Sequence, residues 1–526
     1  MDDDRLSELP NSLILSILSL LDMRDMVTTT FLSNQWKNRW TTVPCLHFRS
    51  RFPFSRDLLV ESSNFISGAL AQWKGAKILE LTIFFSSDDP LIPSSDIDSW
   101  LLFATEKQVE KLTFGFVFKM HGAYFVPQCL YSCSSIKELT LRTCSLKIET
   151  NVQWNKLKSL NIRKSEGLSG DAMSQVLVGA PLLEELVLWS FEISENFNIR
   201  STSLKILEIN GCDVKAEAEL RIWAPNLWSL VISASVCGSY LLYVPSLTAA
   251  TLSFKKLFTL EMFQQVFRSI RHVEEVSLSD WSVQFLVEMK ENDMPLQFPN
   301  AEFLRLCDFK DHQLLDVLEM FPKLKTLVVY EDGYLYNSVA SEMISCSPSL
   351  LHLQTVEIIY TSYPSSISSM VKFLLENAHV LQKMVLKPYL RLKNNQEAFI
   401  LALKELLGMR RSSPHAKLII NESLMIAAIP NIIGWLCILP GVSLARFDNW
   451  GIVVRDVEPE SMGDGSRRSF LQAEGVATDE VVTFSVGIIQ CVEEEWCGWT
   501  QQIVDLLSSW IIRSNWPRSN RRQWLY

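Results

Sequence analysis

The side chains that most often carry out catalysis or bind metals are present in this sequence, but not at the spacings that such sites need. The seven histidines stand singly, at positions 47, 121, 272, 312, 352, 379 and 415. The pairs Cys129/Cys133 and Cys491/Cys497 have no histidines at the spacing of a zinc site. Neither a glycine-rich phosphate loop nor a His-Glu-x-x-His helix occurs. We therefore predict no catalytic residue, no metal site, no cofactor and no enzymatic activity.

Composition and charge favour a folded protein that binds other proteins. The 526 residues are 48% hydrophobic and 21% charged, which is typical of folded chains. The net charge of −10 argues against binding to nucleic acid, which needs a basic surface. The start of the chain is acidic and carries no export signal, so we expect the eleven cysteines to be reduced thiols. We predict a location in the nucleus or cytoplasm.

One uncharged segment needs a choice between two interpretations. The stretch from Leu424 to Ala445 is long enough to span a bilayer. It contains Pro430 and Pro440, however, and no basic cluster flanks it. Because prolines interrupt helices, a buried pair of short elements is the favoured interpretation, and we predict no membrane partner.

An apolar pattern, Leu-x-x-Leu-x-Leu with similar residues substituting, recurs thirteen times along the chain. The copies are about 25 residues apart on average, a spacing typical of leucine-rich repeats. They begin at Ile78, Val109, Ile136, Leu157, Leu183, Leu204, Leu227, Leu247, Val273, Ala301, Leu324, Leu353 and Leu381.

This repeat has a physical cause. The last two apolar residues of each copy alternate with polar ones, so they share one face of a short strand. The following residues must carry the chain back over the core, and neighbouring units must stack because none can cover its own apolar face. The predicted fold class is α/β, with an irregular solenoid of parallel strands and helical or loop returns. A generic α/β protein is the alternative, but it would rarely reproduce the same triplet so often.

The residues between the apolar positions are expected to line the concave surface of the solenoid. In four of the copies these outward residues are Glu138, Thr140, Arg142, Ser159, Asn161, Arg163, Glu185, Val187, Trp189, Thr326, Val328 and Tyr330. From these we take Arg142, Arg163, Trp189 and Tyr330 as candidate target-binding residues. Large amphipathic rings often dominate binding energy at interfaces, although either ring could instead pack beneath a neighbouring loop.

The N-terminal residues predict three short helices ahead of the solenoid. Asn11 or Ser12 is placed to cap the first, Asp25 the second and Ser33 the third. The apolar stripe of the first helix consists of Leu13, Ile14, Ile17, Leu18 and Leu21, and the third helix would place Trp36 and Trp40 one turn apart. Three helices of this size cannot enclose so much apolar surface, so the solenoid or a second protein must cover it.

This segment resembles an F-box. The matching features are Leu9-Pro10, the helix with Ile14, Ile17 and Leu18, and the closing Leu32-Ser33-x-x-Trp36-x-x-x-Trp40. The resemblance implies binding to a Skp-type adaptor and, through it, to a cullin. It carries the adaptor contacts to Leu9, Pro10, Leu13, Ile14, Ile17, Leu18, Val27, Leu32 and Trp36. We expect Ile14, Ile17 and Leu18 to remain uncovered by the chain's own repeats; the alternative is a helical cap that packs on the solenoid.

A second resemblance lies further along the chain. Residues 373–378, 381–386 and 406–413 are similar to the FBD region of plant F-box proteins, and they predict a helix, a strand and a second helix that close the solenoid. The predicted domains are therefore an F-box (1–45), a leucine-rich-repeat solenoid (46–344), an FBD-like cap (345–420) and a Trp-rich tail of unknown structure (421–526).

Together, the resemblances imply the substrate-recognition subunit of a Skp–cullin–F-box ubiquitin ligase, with an unidentified protein as its target. Such a receptor needs no catalytic residue, because it acts by holding the target close to a charged ubiquitin carrier. Two alternatives remain: a leucine-rich-repeat interaction scaffold without ligase function, and an enzyme whose motif is not recognisable.

Overall fold

The structure is a computed structural model, and the chain forms two compact units, residues 1–301 and 302–526. The residues it describes are 9–32, 36–49, 56–85, 92–116, 124–165, 168–215, 217–236, 238–254, 259–292, 296–307, 313–331, 348–360, 364–388, 406, 408–421, 451–454, 469–477 and 480–488.

The first unit alternates strands with returning segments. Its helices are α1 (Asn11–Leu18), α2 (Met23–Thr28), α3 (Arg56–Gln72), α4 (Ser94–Glu106), α5 (Gln128–Tyr131), α6 (Gly170–Gly179), α7 (Leu260–Ile270) and α8 (Trp281–Glu291). Its strands are β1 (Cys45–Arg49), β2 (Glu80–Phe85), β3 (Lys111–Phe116), β4 (Tyr124–Phe125), β5 (Glu138–Arg142), β6 (Cys144–Ser145), β7 (Ser159–Arg163), β8 (Glu185–Trp189), β9 (Glu192–Ile193), β10 (Phe197–Arg200), β11 (Ile206–Val214), β12 (Glu219–Trp223), β13 (Ser229–Val236), β14 (Ser239–Tyr243), β15 (Ala249–Phe254) and β16 (Glu275–Asp280).

The second unit continues the same alternation. Its helices are α9 (Leu314–Leu318) and α10 (Pro364–Asn377). Its strands are β17 (Phe303–Cys307), β18 (Thr326–Glu331), β19 (Thr355–Tyr360), β20 (Lys383–Pro388), β21 (Lys417–Asn421), β22 (Gly451–Val454), β23 (Ser469–Ala477) and β24 (Glu480–Ile488).

Each unit contains a parallel sheet in which the repeat strands lie side by side. In the first unit the order is β1, β2, β3, β5, β7, β8, β11, β13, β15, β16, and every pair is parallel. In the second unit β17 to β21 are parallel and β22 is antiparallel to β21. Because equivalent residues pair in register, as Leu139 does with Leu160, the apolar triplets form continuous columns. The predicted fold class is confirmed.

The apolar triplets form the core, as the repeat predicted. In all thirteen copies the three apolar side chains are at most 2% exposed. The structure adds a strand that the sequence analysis missed, β1. Val43, just before this strand, and Leu46 and Phe48 within it occupy the three apolar positions of a repeat and are also buried. Leu46 and Phe48 show the alternation expected of a strand, but the segment lies so close to the N-terminal helices that no repeat was assigned there.

The returning segments are helical in one part of the sheet and extended in another. Between Leu247 and Ala301 the copies are 26 and 28 residues apart, and the returns contain α7 and α8. Between Leu183 and Leu247 they are 20 to 23 residues apart, and the returns are strands β10, β12 and β14, which form a parallel sheet of their own. The prediction of helical or loop returns was wrong here. A strand advances more than twice as far per residue as a helix, which suits a short return, but length alone does not decide: the 23-residue interval from Ala301 to Leu324 contains α9.

Charged side chains just before the repeat strands pair with one another across neighbouring repeats. Glu110 accepts hydrogen bonds from Lys77 (2.5 Å) and Lys137 (2.7 Å). Glu184 in the same way pairs with Lys158 (3.2 Å) and Lys205 (2.8 Å). The two lysine hydrogen bonds lower the pKa of Glu110 to about 2, so this carboxylate stays charged in the folded chain far below its ordinary value of 4.5.

We expect Glu110→Gln to weaken the fold at neutral pH and progressively less in acid. Because the pKa of Glu110 is lower in the folded chain than in the unfolded one, its contribution to stability is fully present above pH 4.5 and is lost as the pH falls toward about 2. Urea-unfolding midpoints measured across this range test this. Glu149→Gln is the matched control, since Glu149 pairs with the single Lys147 (2.8 Å); an equal loss in both variants would contradict the prediction.

The N-terminal helices differ from prediction in their caps. Helix α1 begins at Asn11 after Pro10, and α2 begins at Met23 after Asp22; neither start has a side-chain cap. The Asn11 side chain instead accepts a hydrogen bond from Arg39 Nη1 (2.8 Å). The predicted caps at Asn11 or Ser12 and at Asp25 were therefore wrong. Among the described residues of the third predicted helix only a 3-10 turn forms, Arg39–Thr42, and Ser33 lies outside the described residues.

The FBD-like region has its predicted helix and strand, α10 and β20. The second predicted helix, at residues 406–413, was wrong: among its described residues, 408–413 form turns and irregular structure that lead into β21. The uncharged stretch 424–445 lies outside the described residues. None of the helices among the residues that the structure describes has both the length and the apolar character to cross a membrane.

Candidate functional site

The apolar stripe of α1 is divided between the interior and the surface. Ile14 and Leu18 are completely buried, together with Met23 and Met26 of α2 and Trp36. The expectation was that the chain's own repeats leave Ile14, Ile17 and Leu18 uncovered; Ile14 and Leu18 are instead buried within the chain. Helix α1 packs against the Arg39–Thr42 turn and α2 against β1, so the module closes its own small core with the help of the first strand.

The other side of α1 is open to solvent. Leu13 and Ile17, one helical turn apart, are 51% and 41% exposed. Further apolar side chains of the same module are also exposed: Leu20, Phe31 and Leu32, at 84%, 89% and 62%. We call these five residues the N-terminal apolar patch. Such a concentration of exposed large side chains within about twenty residues is typical of a protein-binding surface.

Hydrogen bonds fix this module to the first strands of the sheet. The His47 Nε2 atom on β1 lies 3.2 Å from the Ser19 carbonyl oxygen, just beyond α1. Trp73, which follows α3, donates from Nε1 to the Val43 carbonyl oxygen (2.8 Å). The N-terminal apolar patch is therefore presented on a module that is fastened to the sheet of the first unit.

The nine predicted adaptor contacts fall into two groups. Ile14, Leu18 and Trp36 are at most 4% exposed, so they support the surface from within and cannot themselves contact a partner. The exposed or half-buried residues are Leu9, Pro10, Leu13, Ile17, Val27 and Leu32. The helical period of the apolar residues in α1 was predicted correctly. The sequence did not show that Ile14 and Leu18 face inward while Leu13 and Ile17 face the solvent.

A second candidate surface lies on the outward face of the first unit's sheet, at the carboxyl ends of the strands. Phe84, Gly115, Arg142, Arg163 and Trp189 pair in register across β2, β3, β5, β7 and β8. We call Phe84, Arg142, Arg163 and Trp189 the arginine row. Three of its four side chains were predicted from the sequence.

The two arginines of this row lean away from each other onto aromatic rings. The Arg142 guanidinium carbon is 5.4 Å from the centre of the Phe84 ring, and that of Arg163 is 5.1 Å from the Trp189 ring. Gly115 lies between Phe84 and Arg142, and a Cβ atom there would be 2.3 Å from the Arg142 carbonyl oxygen. The missing side chain therefore allows Arg142 to reach across β3 to Phe84.

Tight turns fix the ends of these strands. Thr143, Lys164 and Ser190 directly follow Arg142, Arg163 and Trp189, and all three have left-handed backbone conformations, with φ of 57°, 52° and 53°. Their amides donate to the carbonyl oxygens of Arg163, Trp189 and Asn210, at 2.7, 2.7 and 2.8 Å. This conformation is unfavourable for residues with a Cβ atom, and here the repeated hydrogen bond stabilises it.

Charges are sorted by sign along this face. The carboxylates Glu80, Glu138 and Glu185 stand at the start of their strands, about 13 Å from the arginine row. They are partly neutralised there, for example by Lys111, which is 3.8 Å from Glu80 and 3.3 Å from Glu138.

The arginines have no such compensation. Neither Arg142 nor Arg163 forms an ion pair with a carboxylate among the described residues. The Nε atom of Arg142 is buried without a hydrogen-bond acceptor there, whereas that of Arg163 donates to Asn161 (3.0 Å). The arginine row is therefore a positive surface within an acidic protein.

Two side chains show the limits of the sequence analysis at this surface. Tyr330 is half-buried on β18 of the second unit, in register with Cys307 and Ile359. Phe84 was missed because its repeat is one of the weaker copies. Its position, six residues after the first apolar residue at Ile78, equals that of Arg142 after Ile136 and could have identified it.

The described cysteines are poorly suited to nucleophilic chemistry. Burial raises the pKa of Cys212 to about 12 and also raises that of Cys144. Burial likewise raises the pKa of Cys129, which leaves little reactive thiolate near neutral pH. In the part of the chain that the structure describes, no group of three or more histidine, cysteine or acidic side chains is placed to hold a metal ion.

Comparison with known protein families gives three matches along the chain. The F-box domain matches residues 6–48, and the FBD matches residues 346–386. Between them, the family described as "FBD-associated F-box protein At5g56370, LRR repeats" matches residues 97–329. The matches follow the order of the module, sheet and closing region described above.

Individual relatives come from Arabidopsis thaliana. The chain is 30% identical over 212 residues to the F-box/LRR-repeat protein At3g26922, covering 40% of this chain and 68% of that one. It is 27% identical to the putative F-box protein At1g49610, over 62% of this chain and 84% of the relative. It is 25% identical to the FBD-associated F-box protein At5g22730, over 80% and 94%.

Proposed function

This chain belongs to the F-box/LRR-repeat proteins with an FBD, and from that premise we propose that it is the substrate-recognition subunit of a Skp–cullin–F-box ubiquitin ligase. The F-box would dock on a Skp-type adaptor, and through it on a cullin. The outward face of the repeats would hold an unidentified protein for ubiquitination. The chain itself acts as a non-catalytic receptor, and its contribution to the reaction is proximity.

The observation that supports this proposal most is the N-terminal apolar patch. Leu13 and Ile17 expose about half of their apolar side chains to water, and burying apolar surface of this kind in an interface favours association. The proposed adaptor contacts are Leu9, Pro10, Leu13, Ile17, Val27 and Leu32, with Ile14, Leu18 and Trp36 as their buried support.

The remaining parts of the proposal concern the division of the chain and its location. We propose an F-box at 1–45, a leucine-rich-repeat solenoid at 46–344, an FBD-like cap at 345–420 and a Trp-rich tail at 421–526. We place the protein in the nucleus or cytoplasm. Arg142, Arg163, Trp189 and Tyr330 are the proposed target-binding residues.

The alternative is an interaction scaffold without ligase function, in which the N-terminal module only covers the end of the sheet. The burial of Ile14 and Leu18 fits such a cap, whereas the exposure of Leu13 and Ile17 does not. Co-expression with a Skp-type adaptor separates the two functions.

We expect the full chain to co-purify with the adaptor as a stoichiometric complex that survives size-exclusion chromatography. The physical reason is the burial of the N-terminal apolar patch in the interface. Light scattering gives the mass of the complex. Elution of the two proteins as separate species at micromolar concentration would contradict the ligase proposal and favour the scaffold.

A further inference from the structure

The arginine row has a chemistry more specific than a general protein-binding surface. We propose that it binds an acidic segment of the target protein, with one carboxylate side chain for each of Arg142 and Arg163. This inference rests on the proposed function, because it names the class of target that the outward face selects.

The guanidinium groups are positioned and available. Each guanidinium lies over an aromatic ring, Phe84 or Trp189, and since Nε of Arg142 is buried and Nε of Arg163 donates to Asn161, the terminal Nη groups are the edge offered to a carboxylate. Carboxylates pair with such edges through two parallel hydrogen bonds. Since no described carboxylate pairs with either arginine, a ligand can supply the carboxylates.

The spacing of the row favours a polypeptide with several carboxylates over a single small anion. Arg142 and Arg163 stand on neighbouring strands but lean toward β2 and β8. Their guanidinium groups are therefore separated by at least two strand spacings, on the order of 10 Å. One carboxylate cannot pair with both, whereas an acidic run offers side chains at several separations.

Charge sorting also sets the orientation of such a segment. The residues that pair between the two ends of the strands, including Thr113, Thr140 and Asn161, are uncharged. A peptide lying across the carboxyl ends of the strands meets Arg142 and Arg163, while one lying across the other end meets Glu138 and Glu185. An acidic segment is attracted to the first position and repelled from the second.

The test uses the full chain co-purified with its adaptor and a short fluorescein-labelled poly-glutamate peptide. We expect binding that weakens with salt, and a Kd at least about tenfold higher for the double variant Arg142→Gln/Arg163→Gln. The matched control is Arg200→Gln: Arg200 also stacks on a tryptophan, Trp223 (4.8 Å), but on the sheet of β10, β12 and β14. The control is expected to bind like the wild type.

Three outcomes would overturn the proposal: no binding by the wild type, equal weakening in Arg200→Gln, or equal binding of a poly-lysine peptide. A phosphoserine peptide that binds at least about tenfold tighter than poly-glutamate would replace the carboxylate with a phosphate as the ligand. Adaptor binding, measured in the same samples, reports the proposed function separately. An unchanged adaptor affinity in the double variant shows that the substitutions leave the F-box and the fold intact.

Discussion

Ile17→Asp should weaken adaptor binding strongly while leaving the fold intact. Ile17 is 41% exposed and lies on the solvent side of α1, one turn from Leu13, so a charge there costs the isolated chain little. In the complex the same carboxylate would be buried among apolar side chains. We expect a loss of about 2 kcal/mol or more, which is about thirtyfold or more in Kd, measured by isothermal titration.

The matched control for this variant is Val178→Asp. Val178 is also an exposed aliphatic residue on a helix, 84% exposed on α6, but it lies in the repeats. It receives the same change of charge and is expected to bind the adaptor like the wild type. Equal affinities for Ile17→Asp and the wild type would exclude α1 from the interface.

Trp154→Ala is expected to have the largest effect on stability. The Trp154 ring is completely buried, stacks on Tyr131 (5.8 Å between ring centres) and donates from Nε1 to the Leu130 carbonyl oxygen (2.8 Å). Removing it leaves a cavity and removes one of the two hydrogen bonds to the Leu130 carbonyl oxygen, which also accepts from the Cys133 amide (3.1 Å). We expect a loss of about 3–5 kcal/mol in the free energy of unfolding, measured by urea denaturation followed by circular dichroism.

Trp228→Ala provides the comparison for this change. Trp228 stands directly before β13 and is 47% exposed, so the same substitution removes a ring that has few buried contacts to lose. We expect a loss within about 0.5 kcal/mol. Similar losses in the two variants would mean that burial in the repeat core does not determine stability.

The strands of the repeats could be predicted because one requirement recurs. Each copy needs three apolar residues at fixed separations, and Leu139 and Leu141 occupy their positions for the same reason as Leu160 and Ile162. The returns were harder to predict, because the length of the interval does not decide between helix and strand. The intervals from Leu204 to Leu227 and from Ala301 to Leu324 are both 23 residues long, but the first contains β12 and the second contains α9.

The binding surfaces were only partly predictable. The stripe of α1 could be found from its period, but the side that faces inward depends on where the Arg39–Thr42 turn packs, which is a tertiary contact. In the arginine row, Arg142 stacks on Phe84, which lies two strands away and is far from it in sequence. This contact depends on the absence of a side chain at Gly115, on the strand between them. Alternation along single strands carries no information about such a contact.

Hydrogen–deuterium exchange of the full chain, with and without a Skp-type adaptor, tests the central claim most directly. If the exposed side of α1 is the docking surface, amide exchange should slow in Asn11–Leu18 and in Thr29–Phe31, while the strands that carry the arginine row stay unchanged. Slowing in those strands with α1 unaffected, or no change anywhere at saturating adaptor, would contradict the assignment of the N-terminal module as an adaptor-binding F-box.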